Sequence, residues 1–293
     1  MSYTSFRDTV WRYYRVHGRH DLPWRPPSLK LRRGKEDDLV YKIFVSEVML
    51  QQTQVERVIP FYTRFVKKFP TARALAAVPL ADVLRAWQGL GYNRRAQLLR
   101  DAAKGLANLQ IRTHASTRGP LVLVEELEKL PGVGPYTARA VAAFAYNVDV
   151  VFVETNIRTA VLHHFFSNVG STRPYIKISD REIEAILEKA LPRGKAREWY
   201  SALMDYGAHL KRSGVKVNAK SKHYTKQSKF EGSLRQVRGA ILKALTIEKC
   251  LTEAALSRRL KNHRGVASMI PRALAALTKD GLIKKKRSGW RIA

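Results

Sequence analysis

Residues 130–138 read Leu-Pro-Gly-Val-Gly-Pro-Tyr-Thr-Ala, and a helical pattern stands on each side of them. Val124, Leu127 and Leu130 share one face before the turn, and Ala138, Val141 and Phe144 share one after it. That spacing belongs to amphipathic helices. Gly132 and Gly134 let the backbone turn tightly and approach a phosphate with no Cβ in the way. The N–H groups of Gly134 and its successors, up to Thr137, then point at the anion from the start of the second helix. The expectation is a helix-hairpin-helix over about 121–147, a unit that grips a nucleic-acid backbone and reads no sequence.

The charge balance agrees. Lys and Arg outnumber Asp and Glu by 54 to 24, a net charge of +30. Self-repulsion of that size is usually matched to a polyanion. No stretch reaches the ~18 consecutive apolar residues of a membrane helix, and the first residues have no apolar signal core. The one cysteine, Cys250, excludes internal disulfides and an all-cysteine metal site within one chain. A soluble cytoplasmic, nucleoid-associated monomer is expected, with double-stranded DNA as partner and no membrane.

Apolar residues recur at helical spacing over 5–17 and 39–109, with turns expected at Pro60, Pro70, Pro79 and Gly89-Leu-Gly91. The stretch from Asp21 to Asp38 reads as a loop. Ser179 and Glu182 form a capping box ahead of a further helix. Strand alternation is scarce, so the fold class is all-α. From about 209 to 233 periodicity gives way to lysines, Lys222, Lys226 and Lys229 among them, which suggests a basic linker or arm over 211–232. Three short helices follow, over about 234–247, 252–260 and 266–279, and then a basic hairpin. Residues 233–293 thus suggest a small winged helix-turn-helix. Arg272 would sit on the groove-reading helix, and Lys285 on a wing formed by Lys284 to Arg287.

Four other segments accompany the hairpin: Leu22-Pro-Trp24, Val45-Ser-Glu-Val-Met-Leu-Gln-Gln-Thr-Gln54, Gly89-Leu-Gly-Tyr92 and Val151-Phe-Val-Glu-Thr-Asn-Ile-Arg158. With these motifs, in this order, residues 1–210 resemble the helix-hairpin-helix (HhH-GPD) DNA glycosylases related to endonuclease III. Among them the chain looks most like the MutY-type adenine DNA glycosylases. The resemblance implies a two-lobed glycosylase fold that hydrolyses the N-glycosidic bond of a flipped base, as the first step of base excision repair.

That reaction needs a proton for the leaving base and a negative charge beside an oxocarbenium-like sugar, so two carboxylates suffice. The resemblance assigns the acid to Glu47, whose apolar neighbours Val45, Val48 and Met49 suit a raised pKa. It assigns the second carboxylate to Glu154, where the family has Asp. The extra methylene displaces the charge by roughly an ångström, an error that can cost ~100-fold unless the pocket has adjusted. Tyr136 stands where bifunctional relatives have a Lys that forms a Schiff base, so a monofunctional enzyme is implied. Gln51, Gln52 and Tyr92 match the residues that wedge into the duplex when a base is extruded. Trp24 and Ser201 match the base pocket.

Three departures qualify the substrate. Relatives carry four iron–sulfur cysteines after a Met-Asp-x-Gly-Ala segment. Here Leu203-Met-Asp-Tyr-Gly-Ala208 is followed by no cysteine before Cys250, so no such cluster is expected. Ser201 replaces a Gln that contacts adenine, and the family's 8-oxoguanine-reading domain gives way to the winged segment. Adenine opposite 8-oxoguanine or guanine is the leading substrate. Uracil, mismatched thymine, hypoxanthine and alkylated bases are the alternatives, and an inactive lesion-binding protein is the alternative of another class. No dissociable cofactor is expected beyond a monovalent cation, which hairpin carbonyls of this family can hold.

Overall fold

The computed structural model describes residues 1–25, 36–107, 120–167, 177–222, 230–260 and 267–293. Helices dominate, and the chain groups into two compact units. One holds 1–44, 110–129 and 133–226; the other holds 45–109, 130–132 and 227–293.

In the first unit, α1 (Tyr3–His17) starts at Ser2, whose hydroxyl accepts the Ser5 N–H, and it buries Phe6, Val10 and Tyr14. That stripe packs on α11 (Ala196–Arg212), with Trp11 and Trp199 ring centroids 5.4 Å apart. The hairpin helices are α7 (Pro120–Glu128) and α8 (Pro135–Tyr146). Helix α8 ends at Asn147, which sits in the left-handed region at φ 57°. The Asn147 amide donates to Gly194 O and accepts from Arg197 N–H, which ties the helix end to the start of α11. Next come α9 (Thr155–Phe165) and α10 (Asp180–Ala190), the latter opened by the expected Ser179–Glu182 capping box. Helix α11 runs to Arg212, beyond the point where a linker was expected to begin. A 3₁₀ turn at Asn218–Lys220 follows, and Ser221 bridges Ile178, so the start of the basic arm is ordered.

The second unit takes the last residues of α2 (Glu36–Leu50), then α3 (Val55–Lys68), α4 (Ala72–Ala77), α5 (Leu80–Trp87) and α6 (Arg94–Leu106). The turn expected at Pro60 is absent, because Pro60 lies inside α3. Buried Val58, Tyr62 and Phe65 continue one apolar face past it, and that packing outweighs the missing backbone donor. Likewise α2 begins at Glu36, inside the stretch read as a loop.

The C-terminal part forms α12 (Leu234–Ile247), α13 (Glu253–Arg259), α14 (Ile270–Lys279) and an antiparallel hairpin of β1 (Ile283–Lys286) and β2 (Gly289–Ile292). It groups with residues 45–109 in one unit. Arg85 Nε donates to Thr246 O at 3.3 Å and Gln97 to Gly281 O at 3.2 Å. Gln88 donates to the Thr246 hydroxyl, and Arg94 lies 3.6 Å from the Asp280 carboxylate.

Candidate active site

The hairpin glycines serve different ends. Gly132 has φ 75°, and a Cβ there would lie 2.8 Å from Leu98 Cβ, so both conformation and space demand glycine. Gly134 has an ordinary φ of −96° as the cap of α8. Its role is therefore not conformational, as had been expected of both glycines. A Cβ there would meet nothing within 4 Å, which leaves the helix start open to an incoming group. Pro135 occupies the first turn, where a missing N–H costs nothing. The Thr137 side chain is buried.

Tyr136 projects from that first turn, and its ring meets Phe152 edge-on at 5.7 Å. Phe152 stacks in turn on Tyr200 at 4.0 Å, whose hydroxyl donates to Val150 O at 2.8 Å. This aromatic column packs against the segment that leads into Glu154. Glu154 caps α9, its carboxylate accepting the Asn156 N–H at 2.8 Å. Burial pushes the Glu154 carboxyl above the ordinary range. Backbone N–H groups of Asn156 and Ile157 and the Lys211 ammonium oppose that rise. Lys211 donates to Asn156 Oδ1 at 3.1 Å, a local role that its place in a lysine-rich run concealed.

Gly207, from the Met-Asp-Tyr-Gly-Ala segment, explains how α11 comes so near. A Cβ on it would lie 1.9 Å from Asn156 O. Asp149 lies near Tyr200. Its carboxylate accepts the Gly194 N–H at 2.9 Å.

Asp205 of the same segment is buried and takes Arg19 through its backbone N–H and guanidinium, at 2.6–2.8 Å. Arg25 adds a bond at 2.8 Å, so Asp205 anchors the loop carrying Leu22 and Trp24, both buried. Ser201 was expected at the base pocket, and its side chain is turned to its own helix. It is 4% exposed, and its hydroxyl donates to Arg197 O at 2.9 Å on the side of α11 that faces Tyr14. Helical packing has taken up its one donor.

In the second unit, Glu47 is 6% exposed among Val45, Val48 and Met49 near the end of α2. Gln51 and Gln52 follow on a turn. Gln52 (φ 54°) and Tyr92 (φ 49°) are two of the three non-glycine residues with positive φ among the described residues. Such conformations are costly and cluster at functional sites. What holds them is Arg95, which sequence reasoning missed because it reads as one more surface cation. Its guanidinium donates to the carbonyls of Val48 (2.8 Å), Met49 (2.9 Å), Gln51 (2.6 Å) and Gly91 (3.2 Å), and to the Thr53 hydroxyl (3.2 Å). It also lies 5.4 Å from the Trp87 ring and 5.5 Å from that of Tyr92.

Of the outlying candidates, Lys222 is exposed, but its N–H donates to Ile178 O at 3.0 Å. Lys226 lies outside the described residues. Arg272 is exposed on α14, and Lys285 is exposed on β1 with its ammonium 5.8 Å from the Trp290 ring.

After Ala208 the chain has the Lys211 contact, the 3₁₀ turn and the Ser221 bridge. Cys250 sits in the other unit, its sulfur 3.4 Å from the Ser288 hydroxyl.

Residues 45–193 match the family model of the HhH-GPD superfamily base excision DNA repair proteins. The chain is 33% identical to an adenine DNA glycosylase of Mycolicibacterium smegmatis, over 93% of its own length and 91% of that protein. It is 32% identical to the adenine DNA glycosylase of Mycobacterium tuberculosis, over 92% and 89%. Among solved structures, a thermostable thymine-DNA glycosylase aligns at a TM-score of 0.54 and 21% identity, covering 76% of this chain and 96% of the other. That likeness concerns the fold.

Proposed function

Because the chain belongs to the HhH-GPD superfamily of base excision DNA repair proteins, we propose that it is a monofunctional adenine DNA glycosylase acting on adenine opposite 8-oxoguanine or guanine. The observation that carries the reading is 32–33% identity to adenine DNA glycosylases over nine-tenths of the chain, together with a carboxylate at both 47 and 154.

Glu47, held in an apolar setting, donates its proton to the departing adenine. The C1′–N9 bond breaks with its electron pair leaving on the base, and positive charge develops on the sugar. The Glu154 carboxylate stabilises that charge and accepts a proton from the attacking water, which forms the new C1′–O bond. The products are free adenine and an abasic site. Tyr136 offers no amine, so no covalent bond to the sugar precedes hydrolysis and no strand cleavage accompanies it. Every step uses side chains alone. The desolvated Glu154 carboxyl must be ionised to act, which a helix N-terminus and Lys211 both favour. The exposed start of α8 binds a DNA phosphate through backbone N–H groups, and Arg272, Lys222, Lys226 and Lys285 contribute charge along the duplex.

A second reading, excision of another base on the same scaffold, draws on Ser201, which lacks the paired donor and acceptor of an amide and bonds to its own helix. A panel of labelled duplexes separates the two. Adenine opposite 8-oxoguanine or guanine should become alkali-labile, with free adenine released. Release of only uracil, thymine or hypoxanthine from their duplexes would replace adenine as substrate. Tight binding with no base released would replace the enzyme with a lesion binder.

A further inference from the structure

A pocket of about 320 Å³ lies in the second unit, where α5, the end of α12 and the β1–β2 hairpin meet. Leu80, Leu245 and Ile292 supply apolar walls, and Arg85, Lys249, Lys284 and Arg291 supply charge. The strand register sets Lys284 directly opposite Arg291 and Lys285 opposite Trp290. Paired residues share a face and successive ones alternate, so Lys284 and Arg291 stand on one face of the hairpin and Lys285 on the other. Like charges placed directly opposite each other destabilise a strand pair. Among the described residues, Arg85 is the one cation of the four that pairs with a carboxylate side chain, that of Asp82. Glu248, the neighbour of Lys249 in sequence, is engaged by Arg259. Ile247, two residues before Lys249, is 60% exposed.

We propose that this pocket docks an acidic segment of another protein, one that carries apolar side chains beside its carboxylates. Three cations without a carboxylate of their own, two of them paired across a hairpin, call for an anion from outside. A phosphodiester backbone would satisfy the charge, but it has no apolar group to set against Leu80, Leu245 and Ile292. A peptide of aspartates and leucines supplies both parts. Its carboxylates take guanidinium groups through two parallel bonds, and its leucines exchange water for the apolar walls. The pocket also stands apart from the wedge. Arg235, at the start of α12, bonds the Tyr92 hydroxyl, whereas Leu245 lies about 15 Å further along the same helix at 1.5 Å per residue. A docked partner therefore leaves the wedge turn free, and the proposal does not depend on which base is removed.

The test is fluorescence anisotropy of the full chain with three labelled peptides, Asp-Asp-Asp-Leu-Leu, Asp-Asp-Asp-Ser-Ser and Asn-Asn-Asn-Leu-Leu, at about 0.15 M salt to screen diffuse attraction. Wild type should bind the first about tenfold more tightly than either of the others, the scale of one partly buried leucine or one charge-assisted pair. Arg291→Glu should lose that preference. Lys285→Glu changes the net charge equally but on the other face of the hairpin, and should bind as wild type does. A serine or asparagine peptide that binds as tightly as the first, or equal weakening in the two variants, overturns the proposal. Displacement of the peptide by a short undamaged duplex, with duplex affinity lost in Arg291→Glu and kept in Lys285→Glu, would assign the pocket to DNA and overturn it as well.

Discussion

Arg95 donates to the carbonyl oxygen of Gln51 at 2.6 Å from a side chain only 8% exposed. With the bonds to Val48 and Met49, this guanidinium satisfies the open C-terminal carbonyls of the helix that carries Glu47. Burial lowers its pKa to about 10, so it stays charged at neutral pH. Arg95→Met should cost about 3 kcal/mol of stability by leaving several buried acceptors unpaired. Arg95→Lys, which folds more readily, should bind duplex but slow base extrusion, as read from 2-aminopurine fluorescence beside the target. Unchanged extrusion in the lysine variant would limit Arg95 to stability.

Gly207→Ala places a methyl where Asn156 O stands 1.9 Å away. Helix α11 must move from the start of α9, and Glu154 shifts with it. A displacement near 1 Å predicts about a 100-fold loss in single-turnover rate, with duplex affinity little changed. A rate within twofold of wild type would show that α9 does not need this close crossing.

On the proposed reading, in which the pocket is built for glutamate, Glu154→Asp should slow excision even though it restores the residue of the resembled family, and Glu154→Gln should abolish it. The pH profile carries the same claim. Burial raises the Glu154 carboxyl, and the group works ionised, so activity should fall with acid at a pH above the usual carboxylate range. Lys211 opposes the rise, so Lys211→Met should move that limb to higher pH. A shift to lower pH would contradict the assignment.

His164 titrates for another reason. Burial, then its neighbour His163 and the amino terminus, lower its pKa from 6.5 to about 4. Between those values the unfolded chain binds the extra proton and the folded chain does not, so stability falls as pH drops from 6.5 toward 4. His164→Gln, which can still bond Tyr206, should flatten the melting temperature across that window.

The sequence made legible whatever depends on local pattern. The hairpin, the Ser179 capping box and the C-terminal helices with their hairpin lie where spacing and caps placed them. Pro60 misled because its helix is held by tertiary packing of Val58, Tyr62 and Phe65. Arg95 and Lys211 were hidden for a different reason. In a chain of 54 cations, composition cannot distinguish one that faces solvent from one that organises a site. Ser201 could be aligned to a pocket position, but its actual partner, the carbonyl four residues back, appears only in three dimensions.

The most direct measurement is single-turnover excision from a duplex with adenine opposite 8-oxoguanine, using wild type and Glu47→Gln, each with and without alkali. Wild type should release adenine and give strand breaks only after alkali, and the variant should bind the duplex yet lose at least the 10²-fold or so that a positioned acid supplies. Breaks without alkali, or an undiminished rate in Glu47→Gln, would contradict a hydrolytic glycosylase with Glu47 as its acid.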